Sequence, residues 1–235
     1  MENKKVSIIV PAYNEEKRLS NFLNSLCSYC IKNKHVKWEV ITVNDGSSDS
    51  TKEIIKKIGK KFDFLIGLSH KKNKGKGAAI KTGVKNASGN IIIFIDADGA
   101  TPPQEIDKII KVLEKTDVGI GYRRHKESRI IRSQPLRRLL AGEIFNIIVN
   151  LILDLKIYDT LCGFKGLHAE HKNIILDCQT NRWSFDVEML YLAKKYHLKI
   201  EKVPIIWKHI ENSKISLLKD PIKMIVELIN IRIRR

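Results

Sequence analysis

The chain has 235 residues, of which 43% are hydrophobic and 29% are charged. This composition excludes an intrinsically disordered chain, and the length is sufficient for one domain with a sizeable core. The formal net charge of +17 at pH 7 predicts an anionic partner, such as a phosphorylated substrate, a membrane surface or a nucleic acid.

Strand and helix patterns alternate along the first half of the chain. Short apolar runs predict strands at 6–10, 38–43, 64–68, 91–95 and 118–121. Apolar residues at helical spacing predict helices at 14–30, 51–58, 76–86 and 103–115. This alternation predicts an α/β fold with a doubly wound, mostly parallel sheet. Since no repeat or low-complexity linker interrupts the chain, a single domain over residues 1–235 is expected.

The second half has a different character. Residues 123–138 hold six arginines, and residues 139–155 are strongly apolar except for polar residues at every fourth position, such as Asn146, Asn150 and Asp154. A membrane-spanning helix needs about 18 apolar residues with few charges. The pattern instead predicts an amphipathic helix in the membrane interface, with Ile148 and Ile152 on its apolar face.

A second stretch of this kind runs over residues 221–235 and ends in three arginines, Arg232, Arg234 and Arg235. The alternative interpretation of both stretches is that they are ordinary helices packed into the core.

The four cysteines do not predict a disulfide framework or a zinc site. Cys27 and Cys30 form a C-x-x-C inside a helical pattern, and Cys162 and Cys178 are not at zinc spacing. Reduced thiols are expected, which suits a cytosolic environment.

Polar residues follow three of the predicted strands. Asp96 and Asp98 come directly after the apolar strand 91–95, and the first two strands lead into 11–15 and 43–47. Ligands of open parallel sheets bind at the carboxyl ends of the strands. An Asp-x-Asp there is suited to Mg²⁺ or Mn²⁺, which prefer carboxylate oxygens, although a turn or helix-capping role is the structural alternative.

Two nucleotide-binding motifs are missing from the sequence. The first strand–helix turn contains no G-x-G-x-x-G, and no G-x-x-x-x-G-K-[ST] occurs. These absences argue against a dinucleotide-dependent oxidoreductase and against a P-loop nucleotide hydrolase.

Four segments of the first half resemble the family-2 inverting glycosyltransferases. They are VSIIVPAYNE at 6–15, VNDGSSDST at 43–51, NKGKGAAIKTGVKNASG at 73–89 and FIDADGATPP at 94–103. In the second half, DTLCGFKG at 159–166, RWSFDVEMLYLA at 182–193 and NSK at 212–214 resemble the dolichyl-phosphate β-glucosyltransferase branch. The dolichyl-phosphate mannose synthases are similar in architecture.

The resemblance implies a role for specific residues of the first half. The residues implied to hold the nucleoside are Pro11, Ala12, Tyr13, Glu15, Val43 and Asp45. Asp96 and Ala97 would approach the ribose and diphosphate, and Asp98 would coordinate Mg²⁺ or Mn²⁺.

In the second half the resemblance implies contacts to phosphate. Arg123 would meet phosphate, as would Arg129 together with Ser133, and Arg132 competes with Arg129 for this role. The further acceptor candidates are Lys165, Asp186 and Lys214, where Asp186 has the alternative of pairing with lysines.

The sequence departs from the family pattern at two positions. Ala100 stands where mannose synthases carry a glutamine that ligates the metal, and an alanine side chain cannot ligate a cation. Asn44 stands where many relatives have an aspartate, so this position keeps hydrogen bonds but loses charge.

The implied fold is of the GT-A type, and the implied activity is transfer of a hexose, expected to be glucose from UDP-glucose, to a polyprenyl (dolichyl-type) phosphate with inversion. Residues 1–122 would bind the nucleotide sugar, and residues 123–235 the acceptor and the cytoplasmic face of a membrane. A synthase that uses GDP-mannose is the alternative within this class. A nucleic-acid-binding protein is the alternative of a different class, disfavoured because aromatic residues make up only 7% of the chain and lie largely in apolar strands.

Overall fold

The computed structural model describes residues 4–211 and 220–234. Within this part of the chain the strands are β1 (Lys5–Ala12), β2 (Lys37–Asn44), β3 (Leu65–Ser69), β4 (Ile91–Ile95), β5 (Val118–Gly121), β6 (Arg129–Arg132), β7 (Phe164–His168), β8 (Ile200–Val203) and β9 (Ile206–Lys208). The helices are α1 (Leu19–Lys32), α2 (Thr51–Gly59), α3 (Lys76–Asn86), α4 (Ile106–Val112), α5 (Leu136–Leu153), α6 (Asn173–Leu176), α7 (Phe185–Lys195) and α8 (Asp220–Arg234).

Seven strands form one mixed sheet in the order β3-β2-β1-β4-β7-β5-β8. The pairs β1–β2, β1–β4, β2–β3 and β5–β8 are parallel, whereas β7 is antiparallel to both β4 and β5. Ala12 pairs with Asn44 at the ends of β1 and β2, so the carboxyl ends of these strands meet at one edge. The predicted doubly wound, mostly parallel α/β sheet is therefore confirmed.

The strand β4 lies in the middle of the sheet, and its uninterrupted apolar run reflects burial on both faces. Its five residues are all buried, and they alternate between the two faces. Ile91, Ile93 and Ile95 belong to the core beneath α1, α2 and α4, while Ile92 and Phe94 belong to the core beneath α3, α5, α6, α7 and α8. Helices thus cover both faces of the sheet, as a doubly wound fold requires.

Several boundaries differ from the sequence predictions. The first helix begins at Leu19 rather than at residue 14, because Asn14 has a φ of 52° and the chain turns there before the helix starts. The predicted helix 103–115 is a single 3₁₀ turn at Pro103–Glu105 followed by a shorter α4. The strands after β5 were not predicted, since none has the apolar run that revealed the central strands.

The face of α5 that carries Asn146 and Asn150 is turned toward the protein together with the apolar residues Phe145, Val149 and Leu153, while other apolar residues of the helix face outward. Asn146 is buried and accepts hydrogen bonds from Thr160, while Asn150 exchanges hydrogen bonds with the backbone of Ile157. The exposed apolar residues of the helix are Leu136, Leu139, Leu140, Ile144, Ile147 and Leu151. The prediction for Ile148 and Ile152 was wrong, because both side chains pack against the core.

The helix α8 lies beside α5, with one face in the core and another facing outward. Met224, Leu228 and Ile231 are buried in the core, whereas Ile229 and Ile233 face outward. Among the described residues, no helix has the length and apolarity that a membrane crossing requires.

A buried carboxylate joins the amino-terminal ends of the central strands. Glu39 on β2 accepts hydrogen bonds from Ser7 Oγ at 2.5 Å, from Ser88 Oγ at 2.5 Å and from Ser88 N at 2.9 Å. Burial alone would raise the pKa of Glu39, but the hydrogen bonds from Ser7 and Ser88 and the charge of Lys5 lower it below its ordinary value. Ionised Glu39 therefore holds β1, β2 and the approach to β4 together.

We expect Glu39→Gln to lower the free energy of unfolding by about 1–2 kcal/mol at pH 7, since it removes a charged acceptor of several hydrogen bonds. Because the pKa of Glu39 is lower in the folded state, its contribution is present above the pKa of an unfolded glutamate, about 4.3, and is lost as the pH falls through the folded value. Urea unfolding of the variant and the wild type between pH 3 and pH 7 measures this, with Glu201→Gln on the exposed side of β8 as control. A difference that does not change with pH would contradict the assignment.

Candidate active site

A cavity of about 450 Å³ opens at the carboxyl ends of β1, β2 and β4, and we call it the carboxyl-end cavity. Its wall combines carboxylates, cationic side chains and aromatic rings. Ten of the residues predicted from the sequence line it: Pro11, Ala12, Tyr13, Glu15, Asp45, Asp96, Ala97, Asp98, Arg123 and Asp186. The structure therefore brings most of the candidate residues to a single place.

The other predicted residues lie elsewhere. Val43 is buried within β2 below the cavity, and Lys165 is wholly buried in β7. Arg129 and Arg132 lie on the exposed strand β6, and Ser133 follows it. Lys214 lies outside the described residues.

Several lining residues were not predicted from the sequence. They are Arg18, Asn73, Lys76, Gln134, Arg182, Trp207, His209 and Lys223. Lys76 stands in the NKGKG segment, but a lysine in a chain with 43 lysines and arginines carries no signal of its own. Trp207 and His209 come to the cavity on β9 and just after it, in a region where no strand was predicted.

Asp45 at the end of β2 organises the loop that leads into α3. Its carboxylate accepts four hydrogen bonds, from His70 Nδ1 at 2.7 Å, Asn73 Nδ2 at 3.0 Å, Lys74 N at 2.9 Å and Gly75 N at 2.7 Å. Gly75 has a φ of 102°, a conformation that favours glycine. The carboxylate thereby fixes the backbone immediately before Lys76.

Four charged side chains of alternating sign extend from the cavity into the core. Lys76 Nζ lies 2.9 Å from Asp96 Oδ1 and 3.2 Å from Asp186 Oδ2, and Lys165 Nζ lies 2.5 Å from Asp186 Oδ1. Burial raises the pKa of Asp186, but Lys165 and Lys76 outweigh it, and the pKa lies below its ordinary value. Burial lowers the pKa of Lys76, but Asp186 and Asp96 raise it above its usual range. The contact between Lys76 and Asp186 is therefore between charged groups at neutral pH.

The buried end of this row explains why Lys165 is not at the cavity surface. Its ammonium donates hydrogen bonds to the carbonyls of Thr160 at 3.1 Å and Cys162 at 2.6 Å, in addition to Asp186, and lies 5.6 Å from the ring centroid of Phe94. The structure thus places Lys165 as a partner of Asp186, in a position different from the predicted contact with phosphate.

The two aspartates after β4 are in different surroundings. A Cβ at Gly163 would lie 1.9 Å from Asp96 Oδ2, so only a glycine leaves room for the Asp96 carboxylate. Asp98 accepts a hydrogen bond from Ala100 N at 2.9 Å. Burial, with the negative charge of Asp96 adding to it, raises the pKa of Asp98 to about 6, although Ala100 N–H and Arg18 oppose the shift.

Arg123 after β5 is held in place by Asp159. Its Nε lies 3.1 Å from both carboxylate oxygens, its Nη2 lies 2.5 Å from Oδ1, and its backbone N–H donates to Oδ2 at 2.7 Å. The guanidinium also lies 5.1 Å from the ring centroid of Trp207. The side chain is therefore fixed before any ligand arrives, with part of its surface on the cavity.

Beside Arg123, His209 lines the cavity after β9 and is buried. Burial, together with the positive charges of Arg132 and Arg138, lowers the pKa of His209. Its imidazole is therefore neutral at pH 7.

The fold is similar to solved structures of a sugar-transferring enzyme. Glucosyl-3-phosphoglycerate synthase from Mycobacterium tuberculosis superposes with a TM-score of 0.73 at 18% identity, over 97% of this chain and 81% of that one. The same enzyme in complex with Mn²⁺, UDP and glucosyl-3-phosphoglycerate gives a TM-score of 0.71 at 17% identity, over 97% and 78% of the two chains. At this identity the likeness shows the fold, which is of the predicted GT-A type.

Curated relatives are more similar in sequence. A dolichyl-phosphate beta-glucosyltransferase of Trichomonas vaginalis is 38% identical over 97% of this chain and 73% of its own length. The dolichyl-phosphate beta-glucosyltransferase of Homo sapiens is 34% identical over 98% of this chain and 76% of its own.

The sequence pattern of glycosyl transferase family 2 matches residues 7–180, which include β1, β2, β4 and the loop that carries Asp159. The match, the relatives and the carboxylates at the strand ends agree with the resemblance inferred from the motifs. The chain therefore belongs to glycosyl transferase family 2, and it is a glycosyltransferase.

Proposed function

We propose that this enzyme transfers glucose from UDP-glucose to a polyprenyl phosphate of the dolichyl type, with inversion at the anomeric carbon. The observation that carries the proposal is the similarity over nearly the whole chain to dolichyl-phosphate beta-glucosyltransferases. The carboxyl-end cavity supports it, because it offers aromatic and polar groups for a nucleoside beside cations for phosphate.

The donor would bind along the ends of β1, β2 and β4. The wall beside the nucleoside would consist of Pro11, Ala12, Tyr13 and Glu15. The buried Val43 would support this wall from below, and Asp45 would lie on the other side of the nucleoside. Asp96 and Ala97 would lie beside the ribose and diphosphate. In this arrangement residues 1–122 supply the donor site, and residues 123–235 supply the acceptor side.

The residues around Asp98 suit a divalent cation, Mg²⁺ or Mn²⁺. Its carboxylate lies close enough to that of Asp96 for their repulsion to help raise the pKa of Asp98 to about 6, and a cation would relieve this repulsion. Asp98 would hold the cation, and neutral His209 on the same cavity is a candidate second ligand. A divalent ion bound there supplies positive charge to the leaving diphosphate. Mg²⁺ commonly takes one or two carboxylates plus substrate phosphates, which matches Asp98 together with the diphosphate of the donor.

The acceptor phosphate would attack without a general base. A phosphate monoester has a second pKa of about 6, so its oxygen is an anion near neutral pH. That oxygen forms the bond to the anomeric carbon, and the bond to the diphosphate breaks with its electron pair leaving on the diphosphate. Asp186 is held by two lysines and has a lowered pKa, so it is suited to anchoring cations rather than to accepting a proton.

Positive side chains would hold the phosphates while the reaction proceeds. Arg123 is fixed and faces the cavity, so it meets phosphate without a loss of side-chain freedom. Arg129 and Arg132 on β6, with Ser133 after it, would attract the acceptor headgroup from outside the cavity. Arg132 is paired with Glu211, which favours Arg129 for this contact.

The outward apolar faces of α5 and α8 would attach the enzyme to the cytoplasmic face of a membrane, as a peripheral protein. Leu151 is 80% exposed and Ile147 is 52% exposed, although both are large apolar side chains. Six arginines precede or begin α5, and cations near an anionic leaflet are each worth about 1 kcal/mol. The polyprenyl tail of the acceptor would lie in the same bilayer.

We expect transfer to stop in EDTA and to return on addition of Mg²⁺ or Mn²⁺. Asp98→Asn should lower kcat by about a hundredfold or more, since it removes charge from the cation's ligand set without changing core volume. Electron paramagnetic resonance of free Mn²⁺ in the presence of UDP should show weaker binding by the variant. Full activity in chelator would disprove the metal assignment.

We expect UDP-glucose to support formation of a glycolipid from a short polyprenyl phosphate, detected by mass spectrometry. The segments at 159–166 and 182–193, which resemble the dolichyl-phosphate β-glucosyltransferase branch, favour this donor over GDP-mannose. Turnover with GDP-mannose alone would show that the enzyme belongs to the other branch of the same family.

We expect Ile147→Glu combined with Leu151→Glu to release the protein from anionic vesicles while it stays folded. Each large apolar side chain removed from water contributes about 1.5–3 kcal/mol when fully buried, and both of these face outward at i and i+4. Co-sedimentation with vesicles measures binding, and high salt should weaken binding of the wild type without abolishing it.

The matched control is Ile31→Glu combined with Ile66→Glu, which changes two exposed isoleucines on α1 and β3. This control should bind vesicles as the wild type does. Equal binding by the Ile147/Leu151 variant would place the anchor elsewhere.

A further inference from the structure

The loop of residues 159–163, between α5 and β7, carries contacts to three parts of the active site. Asp159 holds the guanidinium and the backbone N–H of Arg123. The carbonyls of Thr160 and Cys162 accept hydrogen bonds from Lys165, which holds Asp186. Gly163 lies against the carboxylate of Asp96. A shift of this loop would therefore move the supports of Arg123, Asp186 and Asp96 together.

The loop is tied to α5 by one buried carboxamide. Asn146 Oδ1 accepts hydrogen bonds from Thr160 Oγ1 at 3.0 Å and from Thr160 N at 3.3 Å, while Asn146 Nδ2 donates to the carbonyl of Gly142 at 2.8 Å. Thr160 is fully buried and Asn146 nearly so. The Asn146 side chain is thus hydrogen-bonded both to its own helix and to the loop, so it fixes the loop relative to α5.

The segment before the loop is tied to α5 differently. Asn150, one turn further along the helix, hydrogen-bonds the carbonyl and N–H of Ile157, but none of these contacts reaches residues 159–163. Asn146 and Asn150 are thus the same residue type on the same face of one helix, and they differ in whether the segment they hold touches the active site.

A second contact joins α5 to the segment that carries Arg123. Arg124 forms an ion pair with Glu143, which lies on α5 one turn before Asn146. Two contacts of the Arg123 segment, through Asp159 and through Arg124, therefore lead back to this helix.

We infer that Asn146 is a positioning residue of the transfer reaction: it fixes the loop 159–163 against α5 and thereby sets Arg123 for phosphate. The inference rests on the proposed function, in which Arg123 meets phosphate at the carboxyl-end cavity. It also means that α5, which carries the outward apolar face, is connected to Arg123 through Asn146 and the loop 159–163.

The test compares Asn146→Leu and the milder Thr160→Val with Asn150→Leu as the matched control. Displacing a binding group by a fraction of an ångström is costly in catalysis, so Asn146→Leu should lower kcat by roughly tenfold or more. Thr160→Val removes one hydrogen bond without changing side-chain shape, so it should lower kcat in the same direction by less. The KM for UDP-glucose should change less than kcat, because the wall beside the nucleoside, on β1 and β2, is not touched even though Gly163 lies against Asp96. Asn150→Leu should resemble the wild type.

A double-mutant cycle separates positioning from general destabilisation. Among the described residues, the hydrogen bonds of the Asn146 side chain go to Gly142 and Thr160 and not to Asp159 or Arg123. Substitutions of Asn146 and Asp159 should therefore have coupled effects on kcat only if the loop connects them. We expect Asn146→Leu combined with Asp159→Asn to be no slower than Asp159→Asn alone. Equal losses from Asn146→Leu and Asn150→Leu, or additive losses in the cycle, would overturn the inference.

Hydrogen–deuterium exchange supplies a readout that does not depend on turnover. Asn146→Leu should speed amide exchange at residues 159–163, while exchange in β1 and β4 stays as in the wild type. Asn150→Leu should instead affect residues around 157. Unchanged exchange at 159–163 in Asn146→Leu overturns the inference whatever the transfer assay shows, whereas faster exchange there with no transfer by the wild type would mean that the proposed function is wrong and the loop contact is right.

Discussion

The row of alternating charges Asp96, Lys76, Asp186 and Lys165 is the constraint on which the site depends. It joins β4, α3, α7 and β7, so four elements from distant parts of the chain are fixed relative to one another. Burying a charge without a partner is strongly unfavourable, and removing Asp186 would leave the wholly buried Lys165 without a carboxylate. The Asp96 carboxylate also lies on Gly163, where no side chain would fit. The geometry after β4 is therefore determined by groups deep in the core as well as by the strand itself.

This arrangement is consistent with a reaction that needs positioned cations more than a proton acceptor. The carboxylates of Asp45 and Asp186 are saturated by donors from the protein, and the lowered pKa of Asp186 keeps it ionised. Asp98 is different, because its pKa is raised and its charge is only partly balanced by Arg18. Of the carboxylates on the cavity, Asp98 thus gains most from a bound cation. An anionic acceptor explains why the other carboxylates can serve as anchors.

The sequence was sufficient to predict the central sheet and the place of the site, because both follow from local patterns. The apolar run 91–95 predicts a strand buried on both faces, and the polar residues at the ends of three strands predict a common edge. It could not predict that Lys165 is buried, since its partner Asp186 is 21 residues away and their contact depends on β7 joining the sheet antiparallel between β4 and β5. Trp207 and His209 were missed for a related reason: β9 has three residues and its partner β6 has four, so neither strand is long enough to show a recognisable pattern.

The helix α5 shows a further reason why periodicity alone is incomplete. A polar residue at every fourth position predicts a stripe, but the stripe is compatible with two orientations. Polar residues usually face water, and here Asn146 and Asn150 face inward because Thr160 and the backbone of Ile157 satisfy their hydrogen bonds there. The apolar residues of the same helix divide between its two sides: Phe145, Val149 and Leu153 are buried beside the asparagines, whereas Ile147 and Leu151 face outward, where Leu151 is 80% exposed. Both asparagines thus turn one face of the helix toward the protein, but only Asn146 holds the loop that carries Asp159, the partner of Arg123, so it is the inward face of α5 rather than its exposed surface that is coupled to the active site.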